Sequence, residues 1–186
     1  VIATMNVHKA REIKSLIGDR YSVLTQDHFS IPSAPETGKT FEENALIKAN
    51  NVAEKTNLLT LADDSGLEVD LLNGEPGIYS ARYAGASATD EENNQKLIKE
   101  LKKYKGEIMT ARFHSVIAIV ERSKNQQRIF HGTWEGRIKL DQKGENGFGY
   151  DPLFYIDDLG VTAAELSDAQ KNKHSHRANA MRAATD

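Results

Sequence analysis

Apolar and polar positions along this chain recur at two periods, one helical and one extended, and the two alternate from end to end. Ile13, Leu16 and Ile17 fall at helical spacing and predict a helix from Ala10 to Ile17. Val1-Ile-Ala-Thr4 reads as the end of a strand, and Tyr21 to Thr25 as a short one. Thr40-Phe-Glu-Glu43 has the form of a capping box, with a threonine to cap and a glutamate to reach back, and it opens a helix through about Lys55. Thr89-Asp-Glu-Glu92 repeats the device and opens a helix ending near Tyr104. Between the two helices lie a strand, Leu58 to Ala62, and its expected partner, Leu67 to Leu72. Ile108 to Arg122 and Arg128 to Leu140 predict two long strands joined by the polar turn Lys124-Asn-Gln-Gln127. Glycines punctuate Gly144 to Gly149, and the last thirty or so residues read as helical. Hairpins and crossovers together predict an α/β chain with a mixed sheet and flanking helices.

Composition narrows the class. The chain has 186 residues, enough for one domain or one domain with a smaller lobe, and no low-complexity linker interrupts it. Hydrophobic residues make up 39% and charged residues 27%, as in an ordinary globular protein. The longest apolar runs, such as VIAIV, fall far short of the roughly 18 residues a membrane span needs, so no membrane partner is expected. Acidic residues outnumber basic ones, 27 to 24, for a net charge of −3. That balance counts against a protein that wraps nucleic acid. Cysteine is absent, which removes disulfides and thiolate chemistry. No signal peptide is evident, and the expectation is a cytoplasmic protein.

Four polar clusters carry the candidate chemistry. In Thr4-Met-Asn-Val-His-Lys9 a strand end, a turn and a helix start aim backbone N–H groups and Lys9 toward one point, which suits an anion. An ordinary loop with a surface lysine is the plainer reading of this segment alone. Glu36-Thr-Gly38 precedes the first capped helix, and Lys48 follows along it; together they offer a metal ligand and a phosphate contact, or a solvated acid and a surface lysine. In Leu61-Ala-Asp-Asp-Ser-Gly66, Asp63 and Asp64 close an apolar run. If the strand continues through them they face opposite sides, one for the turn and one for a ligand. Hard carboxylate oxygens suit Mg²⁺, while Asp-Ser-Gly alone also makes a good turn. Like charges at a buried strand end are costly without a cation. The fourth cluster joins Gly147-Phe-Gly-Tyr-Asp151 to Lys171 and Ser175-His-Arg177. It sets an aromatic face, flanked by glycines, beside a dense set of donors. Carboxylates for a cation, lysines for phosphates and an aromatic with donors for a base describe a nucleoside triphosphate site.

With those motifs in order, the chain resembles the inosine triphosphate pyrophosphatases. The resemblance rests on Thr4, Asn6 and Lys9, on ETGKTFEENALIKA from Glu36 to Ala49, and on ADDSGLEVD from Ala62 to Asp70. It continues through GEPGIYSARYAG from Gly74 to Gly85, GFGYDPLF from Gly147 to Phe154, and Lys171 with Ser175-His-Arg177. It implies a single domain over 1–186 with no separable linker, in which a long twisted mixed β-sheet and its helices form two lobes around a central nucleotide cleft. It implies a homodimer and a Mg²⁺-dependent hydrolysis of deaminated purine nucleoside triphosphates (ITP, dITP, XTP) to the monophosphate and pyrophosphate, clearing them from the nucleotide pool. Asp64 would be the proton acceptor and, with Glu36, the metal contact. Lys9, Lys48, Lys171 and the region of Ser65 would meet the phosphates; Phe148, Gly149, Tyr150, Asp151, His176 and Arg177 would hold the base; Thr4, Asn6 and Ser175 would complete the substrate-binding set. Donors on His176 and Arg177 would favour a 6-keto over a 6-amino purine. Met5 stands where glycine is common and His8 where a smaller residue is frequent, and the family implies a final helix running past Asp186. The competing functions are a pyrophosphatase for modified pyrimidine triphosphates, a nucleotide sensor without turnover, and a nucleic-acid-binding module.

Overall fold

The computed structural model describes residues 1–185; Asp186, where a longer final helix was expected, lies outside the described residues. In chain order the elements are α1 (Val7–Ile17), α2 (Phe41–Thr56), β1 (Thr60–Val69), α3 (Asp90–Leu101), β2 (Thr110–Glu121), β3 (Gln126–Ile138), β4 (Phe154–Ile156), β5 (Val161–Thr162), α4 (Asp168–His174) and α5 (His176–Thr185). The five strands form one open antiparallel sheet in the order β1-β2-β3-β4-β5. Arg137 stands opposite Tyr155 across β3 and β4, and Tyr155 opposite Thr162 across β4 and β5. Among the described residues, parallel pairing, the other half of a mixed sheet, is confined to isolated bridges from Ile2 to Thr25 and Leu61.

The capping signals held at the residues that carry them. Thr40 accepts from the Glu43 N–H, although the Glu43 carboxylate turns to the Lys39 N–H rather than back to Thr40. Thr89 and Glu92 close a complete box on α3. A 3₁₀ turn, Arg122–Lys124, joins β2 to β3 and ends at Asn125, whose φ of 51° is a left-handed conformation that asparagine tolerates.

Two compact units emerge from the chain's own contacts. The first is built from Val1–Asp64, Ser115–Gly132 and the stretch from His176 onward. Its core holds Ile2, Ile13, Ile117, Ala180 and Met181, with α1 against α5. Gly132 of β3 lies so close to α5 that an added Cβ would be 2.1 Å from the His176 carbonyl oxygen. The second unit is built from Ser65–His114 and Thr133–Ser175. Leu67, Val69, Leu97, Leu101, Trp134 and Phe154 fill its core, and the Phe113 and Phe154 rings pack at a tilt with centroids 4.4 Å apart.

Three local expectations differ from the structure. Leu58 to Ala62 and Leu67 to Leu72 do not form a hairpin: one strand, β1, runs from Thr60 through the aspartates to Val69. Asp63-Asp64-Ser65-Gly66 stays extended because neighbours pair with it. Leu61 N–H donates to Val1, Ala3 N–H donates to the Leu61 carbonyl, and β2 lies alongside. Val1 to Thr4 and Tyr21 to Thr25 shrink to bridge residues. The C-terminal helical stretch breaks at Ser175, which is extended at ψ 155°, and two short strands precede it.

Candidate active site

The turn that opens α1 is fastened by its own side chains. Thr4 Oγ1 accepts from the Asn6 N–H at 3.1 Å, and Asn6 Oδ1 accepts from His8 and Lys9 N–H at 3.0 and 3.1 Å. The Asn6 bonds cap the helix N-terminus, and the Thr4 bond fixes the capping residue in place. Three residues apart on α1, Lys9 and Glu12 share a face with Ile13. Lys9 Nζ reaches Asp63 Oδ2 at 2.8 Å. Glu12, only 7% exposed, pairs with the Arg177 guanidinium, whose NH2 lies 3.2 Å from Asp63 Oδ2. Ser115 Oγ donates to Asp63 Oδ1 at 2.6 Å. Two acids and two bases therefore meet in a buried group around Asp63. Burial alone would raise its carboxyl, yet Arg177, then Lys9, and the bonds from Lys9 and Ser115 hold it well below the usual carboxylate range.

Asp64 has a separate partner. Lys48 Nζ donates to Asp64 Oδ1 at 2.5 Å and to Glu36 Oε1 at 2.9 Å, so one ammonium bridges two carboxylates. Burial works against the Lys48 charge, but Asp64 and Glu36 outweigh it and raise its pKa. Burial raises the Asp64 carboxyl, with Lys48 and then Lys9 opposing. The alternation of β1 explains the division: adjacent side chains leave a strand on opposite faces. Glu36 is delivered by a loop docked on α2. Gly38 N–H donates to Asn44 Oδ1 at 2.8 Å, and an added Cβ on Gly38 would lie 2.6 Å from Glu43 Cβ.

In the second unit, Gly147 takes a φ of +74°. A Cβ there would be 2.0 Å from Asp151 Oδ2, so only glycine admits that carboxylate. Asp151 Oδ2 accepts from the Phe148 N–H at 3.0 Å and from Lys171 Nζ at 2.6 Å. The same ammonium lies 4.7 Å from the Phe148 ring centroid, a cation–π distance. Two residues of α3 hold the next peptide: Gly149 N–H donates to Asp90 Oδ2 at 2.6 Å, and Asn94 Nδ2 donates to the Gly149 carbonyl at 3.0 Å. Tyr150 turns inward and donates to the Ser80 carbonyl at 2.7 Å. Burial, with Asp90 adding, pushes its hydroxyl pKa up, so it stays neutral.

The first unit thus brings Thr4, Asn6, Lys9, Glu36, Lys48, Asp64, His176 and Arg177 of the sequence-predicted set, and the second Ser65, Phe148, Gly149, Tyr150, Asp151, Lys171 and Ser175. Ser65 is half-buried within β1, Ser175 and His176 are buried at the α4–α5 break, and Phe148 is half-buried. The sequence leaves the paired charges of Asp63 and Asp64 in need of a cation; the protein itself supplies Lys9 and Arg177 to Asp63 and Lys48 to Asp64. Sequence reasoning assigned Arg177 donors to a base, and two of those nitrogens meet Glu12 and Asp63. It missed Glu12, Asn44, Asp90, Asn94 and Ser115. Glu12 carried a readable signal, an acid on the apolar face of a helix; Ser115 sits in a strand whose sequence marks no acid nearby.

The Ham1 family profile matches residues 1–186. The dITP/XTP pyrophosphatase of Thioalkalivibrio sulfidiphilus is 47% identical over 184 residues, covering 98% of this chain and 94% of that protein. That of Vibrio parahaemolyticus is also 47% identical over 184 residues, covering 98% and 92%. Among solved structures, a HAM1 protein from Coxiella burnetii superposes with a TM-score of 0.88 at 45% identity, covering 97% of this chain and 93% of that one. The Staphylococcus aureus Ham1 protein gives 0.85 at 44% identity, with coverage of 97% and 93%. A full-length profile match, near-half identity across almost the whole chain and superposable structures together make this chain a member of the Ham1 family.

Proposed function

We propose that this chain hydrolyses deaminated purine nucleoside triphosphates (ITP, dITP and XTP) to the monophosphate and pyrophosphate, clearing them from the nucleotide pool. The observation that carries the reading is the different fate of two neighbouring aspartates. Asp63 is held by Lys9, Arg177 and Ser115, whereas Asp64 and Glu36 converge on the Lys48 ammonium. Relatives at 47% identity that bear the name dITP/XTP pyrophosphatase support the substrate class.

Two carboxylates with one shared cation suit Mg²⁺, which keeps several waters and takes one or two protein carboxylates alongside substrate phosphates. Glu36 and Asp64 would hold it, and when bound it would offset charge on the phosphoryl oxygens. The chain's own groups do the rest. Asp64, its carboxyl raised by burial, accepts a proton from the attacking water. The water oxygen bonds to the α-phosphorus as the α–β bridging bond breaks, and pyrophosphate leaves with the electron pair. Lys48 and Lys9 present ammonium groups to phosphate charge, so the chain contributes mainly positioning and electrostatics. In the second unit, the Phe148 ring, held by the Asp151, Asp90 and Asn94 bonds, offers a stacking face for the base. We read Arg177 as the anchor of Asp63. The homodimer implied by the resemblance is tested by light scattering, where a monomeric mass would exclude it.

Pyrophosphate release across ITP, dITP, XTP, ATP, GTP and modified pyrimidine triphosphates, with and without Mg²⁺, tests the proposal. Deaminated purines should lead the panel. Asp64→Asn should lower their turnover by about 10²–10⁴-fold while the protein stays folded. A folded Asp64→Asn protein with wild-type turnover, or a panel led by pyrimidines, would overturn the reading.

A further inference from the structure

Glu36 poses a positioning problem. It stands in an irregular loop with its side chain 28% exposed, yet its carboxylate meets the same ammonium as that of Asp64 on a buried strand. A glutamate on a free loop would spread over many backbone and rotamer states. Something must fix the loop, and the structure points to one buried amide.

Asn44 lies on α2, is fully buried, and its Oδ1 accepts the Gly38 N–H at 2.8 Å. Lys48 follows Asn44 by four residues on the same helix, so the two side chains leave one face a turn, about 5.4 Å, apart. Glu36 precedes Gly38 by two residues, a span of at most about 7 Å of chain. Holding Gly38 at Asn44 therefore lays Glu36 along the helix at the level of Lys48. The approach is close enough to demand glycine: a Cβ on residue 38 would be 2.7 Å from Asn44 Oδ1. The neighbouring bond, Lys39 N–H to Glu43 Oε2 at 2.6 Å, lies in solvent, where water competes for it. The Asn44 bond is part-buried, with Asn44 itself fully buried, and faces less of that competition.

We propose that Asn44 is a positioning residue for Glu36, its Oδ1 bond to Gly38 holding the loop so that the Glu36 carboxylate meets that of Asp64 and the pair can take one divalent cation. This rests on the reading that Glu36 and Asp64 hold the metal. Groups that orient a ligand from behind typically carry 10–100-fold of metal affinity.

The test uses the full chain with Mn²⁺ as probe. Mn²⁺ binding is followed by electron paramagnetic resonance in the presence of α,β-methylene inosine triphosphate, which is not cleaved. Pyrophosphate release from ITP is titrated with Mg²⁺ in parallel. Asn44→Ala should raise the Mn²⁺ dissociation constant and the half-saturating Mg²⁺ by about tenfold, with kcat recovering at high Mg²⁺. Purely structural damage would not be rescued by metal. Asn44→Asp keeps the acceptor oxygen and should stay near wild type in Mn²⁺ affinity even as its melting temperature falls. Should Asn44→Ala fail to fold, Gly38→Ala displaces the loop from the other side, leaves Asn44 in place, and should give the same metal defect. Glu36→Gln is the reference. If Glu36→Gln weakens Mn²⁺ binding while Asn44→Ala and Gly38→Ala leave it unchanged, Asn44 positions nothing and the inference fails alone. If Glu36→Gln leaves Mn²⁺ binding unchanged, the metal role of Glu36 fails and the inference with it.

Discussion

Replacing Arg177 with methionine removes the guanidinium that stands between the buried carboxylates of Glu12 and Asp63. The Arg177 and Asp63 side chains are 1% and 0% exposed and Glu12 only 9%, so water cannot take over the lost charge. Breaking a buried pair from one side typically costs about 3–5 kcal/mol, because the remaining charge stays desolvated. Lys9 still meets Asp63, which places the cost toward the lower end. At about 2–4 °C per kcal/mol for a chain of this size, the melting temperature should fall by roughly 6–20 °C. The pH dependence identifies the cause. In the native protein Asp63 is held well below its ordinary value, so its stabilisation is complete above the unfolded carboxyl pKa, about 3.9, and is lost only as pH falls through the lower folded value. Without Arg177 the folded carboxyl rises, with only Lys9 and Ser115 left to oppose burial. The variant's deficit is then greatest at neutral pH and shrinks as pH drops through that raised value and Asp63 takes up a proton. Urea unfolding of both proteins at pH 7.5 and pH 5 measures it. A deficit below about 1 kcal/mol at pH 7.5, the range of an exposed pair, or one that grows toward pH 5, would refute the reasoning.

Lys48→Ala removes the ammonium shared by Glu36 and Asp64, and kcat/KM for ITP should fall by at least about tenfold, the loss expected of a charged hydrogen bond; an unchanged value in a pyrophosphate-release assay would make Lys48 a bystander. Gly132→Ala forces a Cβ to within 2.1 Å of the His176 carbonyl and should destabilise by about 1–3 kcal/mol, read by thermal unfolding. Thr89→Ala opens the capping box on α3 and should cost about 1 kcal/mol in a urea titration, with no change in substrate preference.

By itself the sequence determined what short-range physics controls. Helix starts were legible because a threonine followed three residues later by glutamate satisfies orphan N–H groups locally, at Thr89 in full and at Thr40 in part. The β2–β3 hairpin was legible because two long alternating runs flank a polar turn that Asn125 closes. The residue types of the candidate site were legible too, since carboxylates, lysines and a ring flanked by glycines each state their chemistry without a fold. Tertiary structure alone decided how they are spent. Asp-Ser-Gly carries a turn preference that β1 overrides, because ladder partners and buried cations outweigh a local tendency. Glu12 and Arg177 meet across 165 residues of chain, Ser115 and Asp63 across 52, and no local pattern encodes such separations. The two aspartates look alike in sequence; the pleat of one strand sends Asp63 to Lys9 and Arg177, and Asp64 to an ammonium it shares with Glu36.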